Sequence, residues 1–249
     1  MDGPHGASGY RERRSRLAGA VLWTNTMLPS ARPVLPDGCT DLIWTEGRLL
    51  VAGPDTGPYH PGQGGARPGT LPHGLKGMGG TPVTGLRFAP GQGPAVFGVP
   101  AHELRNLRVP LEQLWAPGRV RELAGRVAAE GARALEDAAG ARLAEAAPGT
   151  ATRTAAVAAA LARGRPVAEV ARSVELGARQ LHRLSLDAFG YGPKTLTRVL
   201  RFVRALDLAR AGMPYAEVAA RAGYADQAHL AREVKSLAGA PMGVLLAPG

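Results

Sequence analysis

Cysteine is nearly absent from this chain. Cys39 is the single one in 249 residues, which excludes an internal disulfide framework. It lies in LPDGCTDL beside Asp37 and Asp41. Acidic neighbours raise a thiol pKa and blunt its reactivity, so a buried structural cysteine is expected. Lysine is scarce too: only Lys76, Lys194 and Lys235 contribute to the 30 cationic side chains. Aromatic residues make up 5% of the chain, so at least two of Trp23, Trp44 and Trp115 are expected in core packing rather than lining an effector pocket. No apolar run reaches the ~18 residues that a membrane span needs. The opening MDGPHGASGYRERRSR is polar and is not followed by the apolar core of a secretion signal, so a soluble cytoplasmic protein without membrane association is expected. Chemical motifs are missing as well. His60 and His73 stand 13 residues apart without a third ligand nearby, and no His-X-His pair occurs. Gly62–Gly65 (GQGG) lacks the lysine and helix of a phosphate loop. No metal, cofactor or catalytic constellation is expected.

Positive charge and a change of texture are what the chain does have. Lys and Arg number 30 against 20 Asp and Glu, a net +10, which favours an anionic partner without choosing between nucleic acid and membrane. Residues 1 to about 115 are rich in Gly and Pro. There AVLWTNTML, CTDLIW, RLLVAGP, VTGLRFAPG and PAVFGVP are apolar runs bounded by breakers, and they read as strands. Arg11–Arg16 (RERRSR) reads as a solvated basic segment. From Arg119 the composition turns to Ala, Leu, Arg and Glu, a helical stretch weakened by Gly125, Gly131 and Gly140. APGTA at Ala147–Ala151 marks a break before the next helix. The expected fold is α+β in two domains: a β-rich domain over 1–150 that ends in a helical linker, and an all-α domain over 151–249. Residues 151–249 hold 14 Lys and Arg against 7 Asp and Glu, whereas residues 1–150 hold 16 against 13. The anionic partner is therefore assigned to the C-terminal part.

That part contains an internal repeat. PVAEVARSVELGARQLHRL begins at Pro166, and PYAEVAARAGYADQAHLAREV begins at Pro214, 48 residues later. Both place Pro at a helix start, where its missing N–H costs nothing, and both continue Ala-Glu-Val-Ala. A turn follows, Glu175-Leu176-Gly177 in one copy and Gly223-Tyr224-Ala225 in the other. The next short helix then carries an inward Leu (Leu181, Leu230) and an Arg two residues on (Arg183, Arg232). Helix, tight turn and helix with an exposed polar front is the helix-turn-helix pattern. Between the copies, Leu196, Val199, Leu200, Val203 and Leu206 form one apolar stripe on a helix that Gly212 can end. About 16 helical residues span roughly 24 Å, a rod able to hold two recognition helices near the ~34 Å separation of successive major grooves.

The strings RQLHRL, GYGPK, RVLRFVRAL, EVAARAGYADQAHLARE and LAGAP, in this order and spacing over about residues 153–245, resemble the DNA-binding domain of AraC/XylS-type transcription regulators. LPDGCTDLIW, VAGPDTGP and TGLRFAPGQGPAVFGVPAHELRN resemble the sensor-like domain of unassigned function that precedes it in many bacterial members, which implies a β-rich, barrel-like N-terminal domain. Ser185 and Val234 stand where the family usually has Phe, and Pro241 comes one residue early after Gly239. The resemblance implies sequence-specific binding of double-stranded DNA through two helices. It carries base reading to Arg179, His182, Arg183, Gln227 and His229, and base or phosphate contact to Arg232. The chemistry fits: Gln pairs bidentately with adenine and Arg with guanine. Asp226 would repel phosphate and is expected to cap its helix. Arg201 and Lys194 are candidate phosphate contacts. The family also implies an unknown small-molecule effector acting through the N-terminal domain, a homodimer, and contact with RNA polymerase. Two other readings remain. One is a DNA-repair methyl-acceptor-type protein or other enzyme fused to a DNA-binding domain, although the Pro-Cys-His-Arg motif of the methyl acceptors is absent around Cys39. The other is a helical module that docks on protein.

Overall fold

The computed structural model describes residues 9–27, 33–60, 81–146 and 148–247. Strands β1 (Arg11–Arg14), β2 (Val21–Met27), β3 (Thr40–Thr45), β4 (Arg48–Ala52), β5 (Thr81–Phe88) and β6 (Arg108–Pro110) form one antiparallel sheet in the order β1-β2-β5-β3-β4-β6. Alternation of side chains sends Leu22 of β2, Leu42 of β3, and Leu86 and Phe88 of β5 to one buried face. β3 turns into β4 through Glu46-Gly47, both at positive φ (48° and 74°), the two-residue turn that matches strand twist. Among the described residues no ladder joins the edge strands β1 and β6. His73 and the GQGG run lie outside the described residues.

One expectation for this half is corrected. PAVFGVP is not a strand: Gly93–Phe97 is a short helix, α1, closed at Gly98. Pro94 sits in its first turn, where no N–H is needed. The adjacent Val96 and Phe97 are both buried, with Phe97 edge-on to Phe88 at 5.7 Å. A short apolar run between breakers has no period that separates helix from strand. RERRSR is solvated as expected, and it is also ordered. Its first four residues form the exposed edge strand β1, and the turn after it is tied to Glu136. That carboxylate accepts from Ser15 Oγ (2.7 Å), Arg16 N (3.0 Å) and Arg16 Nε (3.1 Å). Burial alone would raise the Glu136 pKa; these donors bring it down to about 2.

The apolar sheet face is covered by α1, α2 (Pro117–Glu130) and α3 (Ala132–Glu145), through Val120, Leu123, Val127, Leu135 and Ala139. Gly131 splits the predicted helical stretch, whereas Gly125 and Gly140 stay inside helices. Trp115 belongs to this core and Trp44 packs against it. Trp23 lies on the opposite, polar face, where its Nε1 donates to Asp41 Oδ1 at 2.6 Å. Burial pushes the Asp41 carboxyl up, against the pull of Arg87 at 3.2 Å. Cys39 is half-buried beside this group, and burial together with Asp37 pushes its thiol well up, as its acidic neighbours led one to expect.

The remaining chain is helical: α4 (Pro148–Ala162), α5 (Val167–Ser173), α6 (Ala178–Phe189), α7 (Pro193–Arg210), α8 (Tyr215–Ala222), α9 (Gln227–Ala238) and α10 (Met242–Leu246). It contains two apolar clusters. One joins Val157, Leu161, Val170, Leu181, Phe189 and Leu196 from α4–α7. The other joins Phe202, Leu206, Val218, Leu230, Val234 and Leu237 from α7–α9. The apolar stripe of α7 is shifted from the expected one. Its buried residues are Leu196, Val199, Phe202, Ala205 and Leu206, with Leu200 and Val203 only half-buried. A straight helix serving a different cluster at each end rotates its contact line as it rises. No described helix is long and apolar enough to cross a membrane.

Candidate nucleic-acid interface

Helices α5–α6 and α8–α9 are two copies of one unit. Pro166 and Pro214 precede α5 and α8 with the same extended backbone. In each turn one residue takes the left-handed conformation, Glu175 (φ 56°) and Gly223 (φ 83°), 48 residues apart. In each, the next amide donates back into the first helix: Leu176 N to Ala171 O at 3.0 Å and Tyr224 N to Ala219 O at 2.8 Å. The second turn then carries one extra residue, so the second helices correspond at an offset of 49 rather than 48. Leu181 and Leu230 point inward at this offset, as do Ser185 and Val234, and all four are buried.

The starts of the second helices are capped differently. In the first unit Gly177 N donates to Gln180 Oε1 at 2.8 Å. In the second Asp226 Oδ1 accepts from His229 N at 2.6 Å, as expected for a cap, and His229 Nδ1 accepts from Ala225 N at 3.3 Å. The His229 ring stands edge-on to Tyr224 at 5.3 Å. Gln180 and His229 are therefore equivalent residues that both bond back to the turn. The Gln three residues after Gly177 is the sequence signal for this.

On α6, Arg179, His182 and Arg183 are all exposed, and their i, i+3, i+4 spacing puts them on one face. His182 also leans over the start of α7, where a Cβ on Gly192 would lie 2.8 Å from its Cε1. On α9, Gln227 and Arg232 are exposed and His229 is half-buried. Ala228 and Ala231 take the places equivalent to Arg179 and His182. Lys235, exposed one turn beyond Arg232, joins that face and was not anticipated.

Arg201 has partners inside the second unit. Its Nη2 lies 3.5 Å from Glu233 Oε2, its Nη1 donates to Gly223 O at 3.3 Å, and its guanidinium stacks on Tyr224 at 4.4 Å. Arg198 Nε pairs with the same carboxylate at 2.9 Å. That hydrogen bond, with both guanidinium charges, holds the Glu233 carboxyl below the usual range. This strut ties the rod α7 to the second recognition helix. No ion pair is found among the described residues for Arg172, Arg179, Arg183, Lys194, Arg204, Arg232 or Lys235. They supply the free positive charge that a phosphate backbone needs.

Residues 170–247 match a helix-turn-helix domain family, and residues 20–110 match a domain of unknown function, DUF6597. The C-terminal region is thus a helix-turn-helix domain of the AraC type. The chain is a DNA-binding transcription regulator whose N-terminal region is a DUF6597 domain. No curated protein matches the sequence. Among solved structures, ToxT from Vibrio cholerae in a P21 crystal form is similar, with 8% identity over 91% of this chain and 97% of that one and a TM-score of 0.48. Wild-type ToxT of strain SCE256 with an unsaturated fatty acid bound has 8% identity over 94% and 97%, and a TM-score of 0.45. An apo ToxT variant of the same strain has 10% identity over 94% and 98%, and a TM-score of 0.46.

Proposed function

We propose that the protein recognises a specific duplex site with α6 and α9 in successive major-groove segments, about 10 base pairs apart. Arg179, His182 and Arg183 read one half of the site. Gln227, His229 and Arg232 read the other, His229 through the nitrogen not engaged in the turn. The observation that carries this reading is the pair of units on a shared rod, each with its own free polar front. The division of labour follows the break between α3 and α4. Residues before it form a sensor or assembly domain around the sheet core, and residues after it form the DNA binder. The protein acts in the cytoplasm by binding rather than by catalysis. An effector at the N-terminal domain sets dimerisation or the disposition of the two units, and so contact with RNA polymerase. Selection of duplexes from a random library by the full-length protein tests this reading. It should return a site with two conserved blocks one helical turn apart. With about six phosphate contacts, the log–log salt slope should be near −5. A library that returns no preference, or an affinity indifferent to salt, overturns it.

A further inference from the structure

The segment Gly53–Tyr59, GPDTGPY, has no part in the DNA-reading face, yet it touches both units at the same place. The two recognition helices end in equivalent glycines, Gly190 and Gly239, 49 residues apart and both left-handed (φ 82° and 73°). A Cβ on Gly190 would lie 2.6 Å from Pro54 Cγ, and one on Gly239 would lie 3.4 Å from Pro58 Cγ. Two prolines of one short loop thus sit on the C-terminal caps of both helices, at the ends away from Arg179 and Gln227. Arg105 Nη1 adds a hydrogen bond to Gly190 O at 3.2 Å, and Leu35 packs against the second unit's cluster.

The loop is itself held stiff. Asp55 and Arg108 form a buried two-point ion pair, with Nη1 to Oδ1 at 2.9 Å, and the Arg108 guanidinium stacks on Tyr59 at 4.1 Å. Gly53 N donates to Leu107 O (3.0 Å), Asn106 N to Pro54 O (3.0 Å), and Thr56 N to Asn106 Oδ1 (2.8 Å). Tyr59 pairs with Val34 across an isolated bridge. A loop tied at this many points moves with the sheet, and its prolines have little freedom of their own.

We infer that the Pro54–Pro58 loop is a two-point clamp by which the N-terminal domain sets the relative position of the two recognition helices, and so the half-site spacing the protein accepts. Two linked binding units gain affinity only when their separation matches that of their sites. The inference rests on the two-helix reading above, and its test separates the two. In the full-length protein with Cys39→Ser, spin labels on Ala178→Cys and Ala231→Cys report the α6–α9 distance without DNA. With Pro54→Ala and Pro58→Ala added, the distance distribution should broaden. Discrimination between the selected site and duplexes whose half-sites are moved by one base pair should fall about tenfold, at an unchanged salt slope. If the double substitution unfolds the protein, Pro58→Ala alone carries the test, because its ring is partly exposed. A distribution and spacing profile equal to those of the parent overturn the clamp. So does an equal loss on every spacing with an unchanged distribution. If only the two-helix reading is wrong, the distances still broaden while no spacing preference exists to lose.

Discussion

The two helix-turn-helix units share a backbone and differ in what steadies them. At the left-handed position of the turn the second unit has Gly223, which adopts that conformation freely, whereas the first has Glu175, for which it is a strained one. Under the recognition helix the second unit has Val234 and the first has Ser185, whose buried Oγ has no hydrogen-bond partner among the described residues. The second unit is braced to the rod by Arg198, Arg201 and Glu233. The first leans on the N-terminal domain, through Arg105 to Gly190 O and His102 Nδ1 to Asp187 Oδ1 at 3.4 Å. The first also presents three long polar side chains where the second presents two alanines and Arg232. The unit with the longer polar side chains at these positions is thus the one that carries the strained turn residue and the buried serine, and it takes side-chain bonds from the neighbouring domain.

The comparison is broken most severely at the strut. Arg201→Ala leaves Glu233 to Arg198 alone and Tyr224 uncovered, and should lower stability by about 2 kcal/mol in chemical denaturation. His102→Ala, in the N-terminal domain, removes only the exposed pair to Asp187 of the first unit and should change stability by less than about 0.5 kcal/mol. If Arg201 is a phosphate contact instead, its loss will make the salt slope shallower by about one unit and leave the folded state alone.

Base reading comes next. Arg179→Ala should relax preference in one half-site, and Gln227→Ala in the other, each by about 2 kcal/mol of discrimination. Titrations on matched and mismatched duplexes measure both. Relaxation at the same base pairs would sink the two-groove arrangement.

Ser185→Ala should stabilise the protein by about 1 kcal/mol, because a buried hydroxyl without a partner is removed. A thermal melt that shifts downward would show that the hydroxyl is bonded after all.

The smallest effect concerns pH. The folded-state pKa of Glu233 is lowered from 4.5, so its stabilising contribution is complete above that value and fades as pH falls through the folded one. Glu233→Gln should therefore flatten the acid limb of the stability curve below about pH 4.5. Glu136→Gln should do the same for the N-terminal domain, where the loss runs from 4.5 down to about 2. An unchanged acid limb in either variant would remove that carboxylate from the linkage.

Much of this was legible in the residues. The repeat at Pro166 and Pro214, the rod between the copies, the inward leucines and the Asp226 cap all follow from local pattern, which a helix obeys over a few residues. What escaped was non-local or short. α1 holds five residues and has no period to show. Phe202 and Ala205 join the stripe of α7 only because the helix packs on two clusters in turn. The strut unites residues 35 positions apart, Arg198 and Glu233. The one-residue slip between the copies is set by the length of a turn, so Gln180 and His229 do not align by counting from the prolines.

The rod has a further consequence, in the language of folding rather than recognition. Leu196 and Val199 belong to one apolar cluster, and Phe202, Ala205 and Leu206 to the next. Neither unit can open without uncovering part of α7, and each opening removes support from the other. Amide protons in the middle of α7 should consequently exchange only when both clusters come apart, as the slowest of the helical half, and the two units behave as a single cooperative block despite having two cores.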